Sequence, residues 1–303
     1  MSALHRGTAA PSAELEQAVL ESIVYSDVFD YPLTEAEVRR GLPVMATPAE
    51  VQLALGSPAL AGIVSFQSPY YLLAGRNEIV GVRRRRRKAS LALLKPARAY
   101  GALIARLPFV RMVAVTGALA VENSEAGDDI DYLILTAPGR VWLTRTLVMA
   151  VVRLAALRGL VLCPNYLLDE RCLSLDQHDA YTARELVQMT PVAGGEVHQR
   201  MLAANAWFRR FLPNATPPSA IDAPAAGRFR PSRLFETLLG GRAGDALEGW
   251  LRRRKAAELQ RQAGDNPEAV FDARVCKGHL NGYRGRTEAA VSRRLKALSE
   301  ARS

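Results

Sequence analysis

Two carboxylates, Asp129 and Asp131, stand two residues apart at the opening of an apolar run, Tyr132-Leu133-Ile134-Leu135. Side chains alternate between the two faces of a strand, so on a strand this pair projects from one face. A second apolar run, Phe109 to Val115, ends just upstream, and Gly117 to Val121 reads as a turn entering a helix. Pro138-Gly139 opens a long helix to Arg158, Gly159 closes it, and Leu160 to Leu168 reads as a third strand. Ala183–Met189 and Glu196–Phe211 are helical in pattern. Strands alternating with helices require a layered core in which a sheet is covered by helices.

Upstream, Ser12 caps a helix running to about Tyr25, with Leu15, Val19 and Ile23 on one face. Thr34 and Glu37 form a capping box for a second helix, and Thr47-Pro48 starts a third. Ile63–Phe66 and Tyr70–Leu73 are short β-like runs. Three helices and a hairpin is the winged-helix order, with the third helix presented to DNA if the domain reads DNA. That helix, Ala49 to Leu55, contains no Arg or Lys, which favours a protein partner over phosphate contacts. A basic helical stretch runs from Arg76 to Ala105. Pro213 to Gly227 is the linker candidate, and Arg230 to Ser303 reads as helical and basic.

The net charge of +10 favours anionic partners without choosing among nucleic acid, nucleotides and phosphorylated molecules. Cys163, Cys172 and Cys276 have neither a disulfide framework nor zinc spacing. The most apolar stretch, Val141 to Leu157, is interrupted by Arg145 and Arg153 and falls short of a membrane span. With no signal-peptide pattern at the N-terminus, a cytoplasmic location is expected.

Paired carboxylates repel in a dry site and are relieved by a divalent cation between them. Magnesium takes oxygen ligands, commonly one or two carboxylates together with substrate phosphates. Gly117 offers a turn where backbone approaches a phosphate, and the following helix start offers N–H donors.

The Thr116-Gly117 and Asp129-Ile130-Asp131 elements resemble the nucleotidyltransferase signature of the DNA polymerase β-like superfamily. The wider chain, over most of residues 13–215, resembles bacterial nucleotidyltransferase-domain proteins. The similarity is carried by Tyr25-Ser26-Asp27-Val28-Phe29-Asp30-Tyr31-Pro32-Leu33-Thr34, Arg140-Val141-Trp142-Leu143-Thr144-Arg145, Asn165-Tyr166-Leu167 and Tyr181-Thr182-Ala183-Arg184-Glu185-Leu186. The resemblance implies an α+β fold: a winged-helix-like domain (1–76), a polymerase β-like core with a small mixed sheet (77–215) and a basic helical C-terminal region (216–303). It implies Mg²⁺ held by Asp129 and Asp131, a nucleoside triphosphate cradled by Gly117 and Ala118, and transfer of a nucleoside monophosphate to a nucleic acid or phosphorylated acceptor. Two departures stand out. Ala118 replaces the usual Ser or Gly, and Asn165 occupies the place of a third acid, leaving Asp169 and Glu185 as alternatives. A rival reading is a degenerate fold acting as a nucleic-acid-binding or regulatory module.

Other residues divide between ligand contact and plain structure. Arg83 to Arg87 with Lys88 point all around a helix, so only some can face a phosphate. Trp142 is read as core rather than a base-stacking platform, and Arg145 as surface rather than phosphate-binding. His178 and His198 lack ligand spacing. Lys277-Gly278-His279 is read as a helix connection that can touch substrate.

Overall fold

The computed structural model describes residues 11–218, 230–266, 268–278 and 283–300. Residues 219–227 of the linker candidate and His279 lie outside them. Along the chain come α1 (Ala13–Asp27), α2 (Glu35–Gly41), α3 (Pro48–Leu55), β1 (Val64–Gln67), β2 (Tyr70–Leu73) and α4 (Glu78–Ala105). There follow β3 (Val110–Val115), α5 (Gly117–Ala120), β4 (Ile130–Thr136), α6 (Val141–Ala156), β5 (Leu162–Asp169), α7 (Ala180–Gln188), β6 (Thr190–Ala193) and α8 (Gly195–Ala204). A 3₁₀ turn covers Ala206–Arg210. The last elements are α9 (Arg230–Leu239), α10 (Arg242–Ala263), β7 (Val270–Phe271), β8 (Val275–Lys277) and α11 (Tyr283–Glu300).

The chain divides into two compact units. One takes the chain up to Arg84, Arg209–Thr216 and the residues from Thr287 onward; the other takes Arg85–Phe208 and Pro217–Arg286. The C-terminal region, expected as one domain, is therefore shared between both.

In the first unit the helix starts follow from local chemistry. Ser12 Oγ accepts from Leu15 N at 3.2 Å, and Thr34 with Glu37 and Thr47 with Glu50 both close capping boxes. Val19, Ile23, Leu33, Val38, Leu42 and Val51 form the core, with Val291, Leu295 and Leu298 of α11 packed on it. The antiparallel hairpin β1–β2 completes this α+β unit. Arg83, first in the basic run, is buried. It pairs with Glu37 at 2.7 Å and lies over the Tyr31 and Tyr70 rings, so its charge is spent inside this unit.

The second unit is built on a six-stranded mixed sheet in the order β6-β3-β4-β5-β8-β7, with β4 and β5 parallel and all other neighbours antiparallel. Ile130, Tyr132 and Ile134 of β4 face a core shared with Tyr100 and Ile104 of α4 and Trp142, Val148 and Val151 of α6. The odd-numbered side chains of β4, Asp131 among them, therefore face the opposite side. Two expectations are corrected here. The segment from Arg230 is not wholly helical, because β7 and β8 extend the sheet beside β5. Glu196–Phe211 is not one helix, because α8 stops at Ala204 and gives way to the 3₁₀ turn. Arg86 and Arg87 pair with Glu125 and Glu122 at 2.9 and 3.0 Å, tying α4 to the loop before the acid pair. Among the described residues no helix is long and apolar enough to cross a membrane.

Candidate metal and nucleotide site

Asp129 immediately precedes β4 and Asp131 is its second residue. One carboxylate oxygen of each and the Cys163 sulfur lie within 4.8 Å of one another. The parallel register sets Asp131 opposite Cys163, which brings the thiol to the acids. Gly117 sits directly beside them with φ +65°. A Cβ built there would come 2.5 Å from Asp131 Oδ2, so only glycine leaves room for the carboxylate at this turn. The helix expected after the turn is the four-residue α5, too short to bring an appreciable dipole to the site. Ala118 is exposed at its second position, with its side chain contributing no hydroxyl.

Burial dominates the electrostatics. The half-buried Asp131 carboxyl is pushed up to about 7 by desolvation, with the Asp129 and Glu185 charges adding to the effect. Asn165 opposes the rise by donating its side-chain amide to Asp131 Oδ1. Cys163 is pushed up to about 12, first by burial and then by its hydrogen bond to Asp129, so it stands as a neutral thiol donating to that carboxylate. Glu185 on α7 is raised to about 7 by burial, partly offset by Lys277.

The two alternatives for a third acid separate clearly. Asp169 pairs in register with Thr136, five residues along β4 from Asp131, which places it about 16 Å along the strand. Its carboxylate accepts from Gly139 N at 2.8 Å and holds Arg171 at 2.6 Å, which keep it below the usual range despite burial. It anchors the turn into α6 and takes no part in the site. The Glu185 charge is among those that raise Asp131.

Lys277, read from sequence as part of a helix connection, is a strand residue of β8. Its pairing partner is Tyr166, which in turn faces Leu133 across β4–β5. Facing residues on neighbouring strands share a side of the sheet. Lys277 thus stands on the side that carries Asp131. No sequence signal marks this, because β8 is three residues long and reaches β5 only through tertiary pairing. Arg145 hydrogen-bonds Cys276, whose side chain belongs to the core on the other side, so it does not reach the acids. A cavity of about 430 Å³ lies at the far end of β4, lined among others by Gly139, Arg140, Arg171 and Glu248. There Glu248 already caps α6 through the N–H groups of Trp142 and Leu143.

Neither His178 nor His198 joins the site. His178 stacks on Trp207. His198 is fully buried, and among the described residues neither ring nitrogen has a hydrogen-bond partner; burial lowers its pKa below 6.5. A lowered folded value means that the neutral imidazole's contribution is complete above the unfolded pKa and is lost as pH falls below it. The second unit should therefore lose up to about 1.4 kcal/mol per pH unit below about pH 6.5 from this residue. His198→Leu should flatten that part of a stability-against-pH curve measured by urea unfolding; an unchanged slope would show that His198 is not its source.

The chain matches no protein-family model, no curated protein and no solved structure in the comparisons made.

Proposed function

We propose that this chain is a cation-dependent nucleotidyltransferase with a polymerase β-like core, moving a nucleoside monophosphate from a nucleoside triphosphate to an acceptor hydroxyl or phosphate. The observation that carries the reading is the convergence of Asp129 and Asp131 on a spot that only a glycine at position 117 leaves open. The donor set fits Mg²⁺ through its two hard carboxylates, whereas the neutral Cys163 thiol is a donor that Mg²⁺ does not need. Bound there, the cation would supply the positive charge that a triphosphate requires.

The chain's own residues do the rest. Backbone at Gly117 and Ala118 lets the phosphates approach closely. Asn165 orients Asp131. The acceptor oxygen attacks the α-phosphorus, the bond to the β-phosphate breaks, and pyrophosphate leaves. Glu185, held near neutrality by burial, takes the acceptor's proton. Asp169 is already committed to Arg171 and Gly139.

The three-helix and hairpin unit is read as winged-helix-like and as a protein-binding module, since α3 lacks cations for phosphate contacts. Asn165 at the place of an acid favours a second reading, a catalytically degenerate regulatory or nucleic-acid-binding protein. Against its nucleic-acid version, Arg83, Arg86 and Arg87 are engaged in ion pairs.

Incubation with each labelled nucleoside triphosphate, Mg²⁺ and an acceptor panel should release pyrophosphate. Calorimetry should show triphosphate binding at least about tenfold tighter with Mg²⁺ than with EDTA, and Asp129→Asn should erase that difference. Equal affinity in both buffers would sink the metal-site reading. Cation-dependent binding without turnover would move the assignment to the regulatory one.

A further inference from the structure

Mg²⁺ accounts for the two carboxylates and leaves a third donor unexplained. β5 is irregular where it passes them. Between the pairs Asp131–Cys163 and Leu133–Tyr166, β4 advances two residues and β5 three. Pro164 stands in that extra step, and a proline, lacking an N–H, is tolerated inside a sheet at such an irregularity. Bulges often re-aim side chains beside functional sites. Here Cys163 pairs with Asp131 and shares its side of the sheet, and Asn165, two residues on, donates to the same carboxylate.

The Cys163 sulfur lies within 4.8 Å of a carboxylate oxygen of each aspartate. A tetrahedral zinc-type centre, with bonds of about 2.0–2.3 Å, keeps its ligand atoms roughly 3.5 Å apart. Small side-chain rotations therefore bring all three donors onto one cation. Asp129 is exposed while Asp131 and Cys163 are half-buried, so an ion can enter from the Asp129 side. The missing side chain at Gly117 keeps Asp131 Oδ2 clear. Hydrogen bonding alone is a poor reason for sulfur at this place, because a thiol is a weak donor and a serine hydroxyl a better one. What sulfur adds is affinity for softer cations, which Mg²⁺ does not use.

We infer that Cys163 is the third ligand of the Asp129–Asp131 centre, and that the site takes a thiophilic divalent cation of the zinc class in preference to Mg²⁺. This rests on the metal-site part of the proposed function and changes which cation serves it. On binding, the S–H bond breaks, its proton passes to water, and the thiolate sulfur gives an electron pair to the cation; nothing is oxidised or reduced. Three protein ligands leave the fourth position of a tetrahedral ion for water or a phosphate oxygen. Asn165 is a positioning residue in this scheme, holding Asp131 through its side-chain amide.

Zn²⁺ affinity decides little on its own, since Zn²⁺ ranks high in the general affinity order of divalent metals. Co²⁺ is therefore the probe, titrated into the full chain after EDTA treatment and removal of the chelator. A sulfur-to-cobalt charge-transfer band should rise in the near ultraviolet and saturate at one equivalent, a measurement that needs no variant to fold. Cys172→Ser should keep the band and Cys163→Ser should abolish it. Zn²⁺ should bleach it by displacement, and a large excess of Mg²⁺ should not. In competition with a chelating dye, Cys163→Ser should lower Zn²⁺ affinity at least about 100-fold, since loss of even an outer partner of a metal site costs about 10–100-fold. Cys163→Asp, with a hard third donor, should lose the band and still bind a cation, now favouring Mg²⁺. No band in the unmutated protein, or a band that survives in Cys163→Ser, would overturn the ligand; bleaching by Mg²⁺ as readily as by Zn²⁺ would overturn the preference. Triphosphate binding separates the two proposals. If Mg²⁺-dependent triphosphate binding is present and the band is absent, the thiolate ligand alone fails. A Cys163-dependent band without triphosphate binding under either cation keeps the metal centre and removes the transferase.

Discussion

On the proposed transferase reading, Asp131→Asn is expected to cost turnover at least about 10³-fold, because several kcal/mol of charge stabilisation at a bound triphosphate would depend on this carboxylate. The same change should stabilise the free protein. The carboxyl is raised from 3.8 to about 7, chiefly by desolvation, and then by Asp129 and Glu185. A raised folded value means that folding favours the protonated form. The penalty is absent below the unfolded value, grows as pH rises through the interval from 3.8 to about 7, and is complete above it. A neutral amide of nearly the same shape removes it. Each pKa unit corresponds to about 1.4 kcal/mol, so relief of even one unit is measurable. Denaturant midpoints should show the variant more stable than the original at pH 8 and the two converging near pH 4. A variant that is less stable at pH 8 would show that Asp131 is held by favourable contacts, and the case for a strained, cation-awaiting pair would fall. Loss of activity accompanied by gained stability is the usual signature of a site held ready at the fold's expense.

The second large effect concerns the core. Trp142 is 1% exposed, its Nε1–H donates to the Asp272 carbonyl at 2.7 Å, and its backbone N–H is held by Glu248. Trp142→Ala should cost about 3–5 kcal/mol, the range for emptying a large aromatic site. Trp142→Phe should cost less, but the Asp272 carbonyl loses its donor, for about 1–3 kcal/mol. Triphosphate affinity per folded molecule should not change, because Trp142 packs on the side of the sheet away from Asp131. A loss below about 1 kcal/mol on urea unfolding of the alanine variant would contradict the core role, and selective loss of nucleotide affinity would revive the stacking role.

Much of this arrangement was legible in the chain because it is written locally. The capping residues Thr34 and Thr47 mark their helices by side chains three residues from their partners. The runs around Val110–Val115 and Ile130–Thr136 are apolar enough to declare strands, and the spacing of Asp129 and Asp131 tells which way they point. What escaped depends on partners distant in sequence. Val275–Lys277 and Thr190–Ala193 are too short for a periodic signal and become strands only by pairing with β5 and β3. The choice between Asp169 and Glu185 turned on strand register. Both are acids downstream of the pair, yet one is drawn to the far end of the sheet while the charge of the other is felt at Asp131. The basic run from Arg83 was ambiguous because three of its charges, Arg83, Arg86 and Arg87, are taken up by Glu37, Glu125 and Glu122, which lie far along the chain from them.

The pairing of β5 with β8 has a temporal side. β5 is complete at Asp169, but the strand that covers its edge begins at Val275, about a hundred residues later. At about 5–20 residues per second, a ribosome needs roughly 5–20 s to deliver it. Throughout that interval the outward N–H and C=O groups of Tyr166 to Leu168 are an open template for any extended chain nearby. Slower decoding between the two strands lengthens the exposure, so the yield of correctly folded chains should depend on translation speed over this stretch, even when no amino acid is changed.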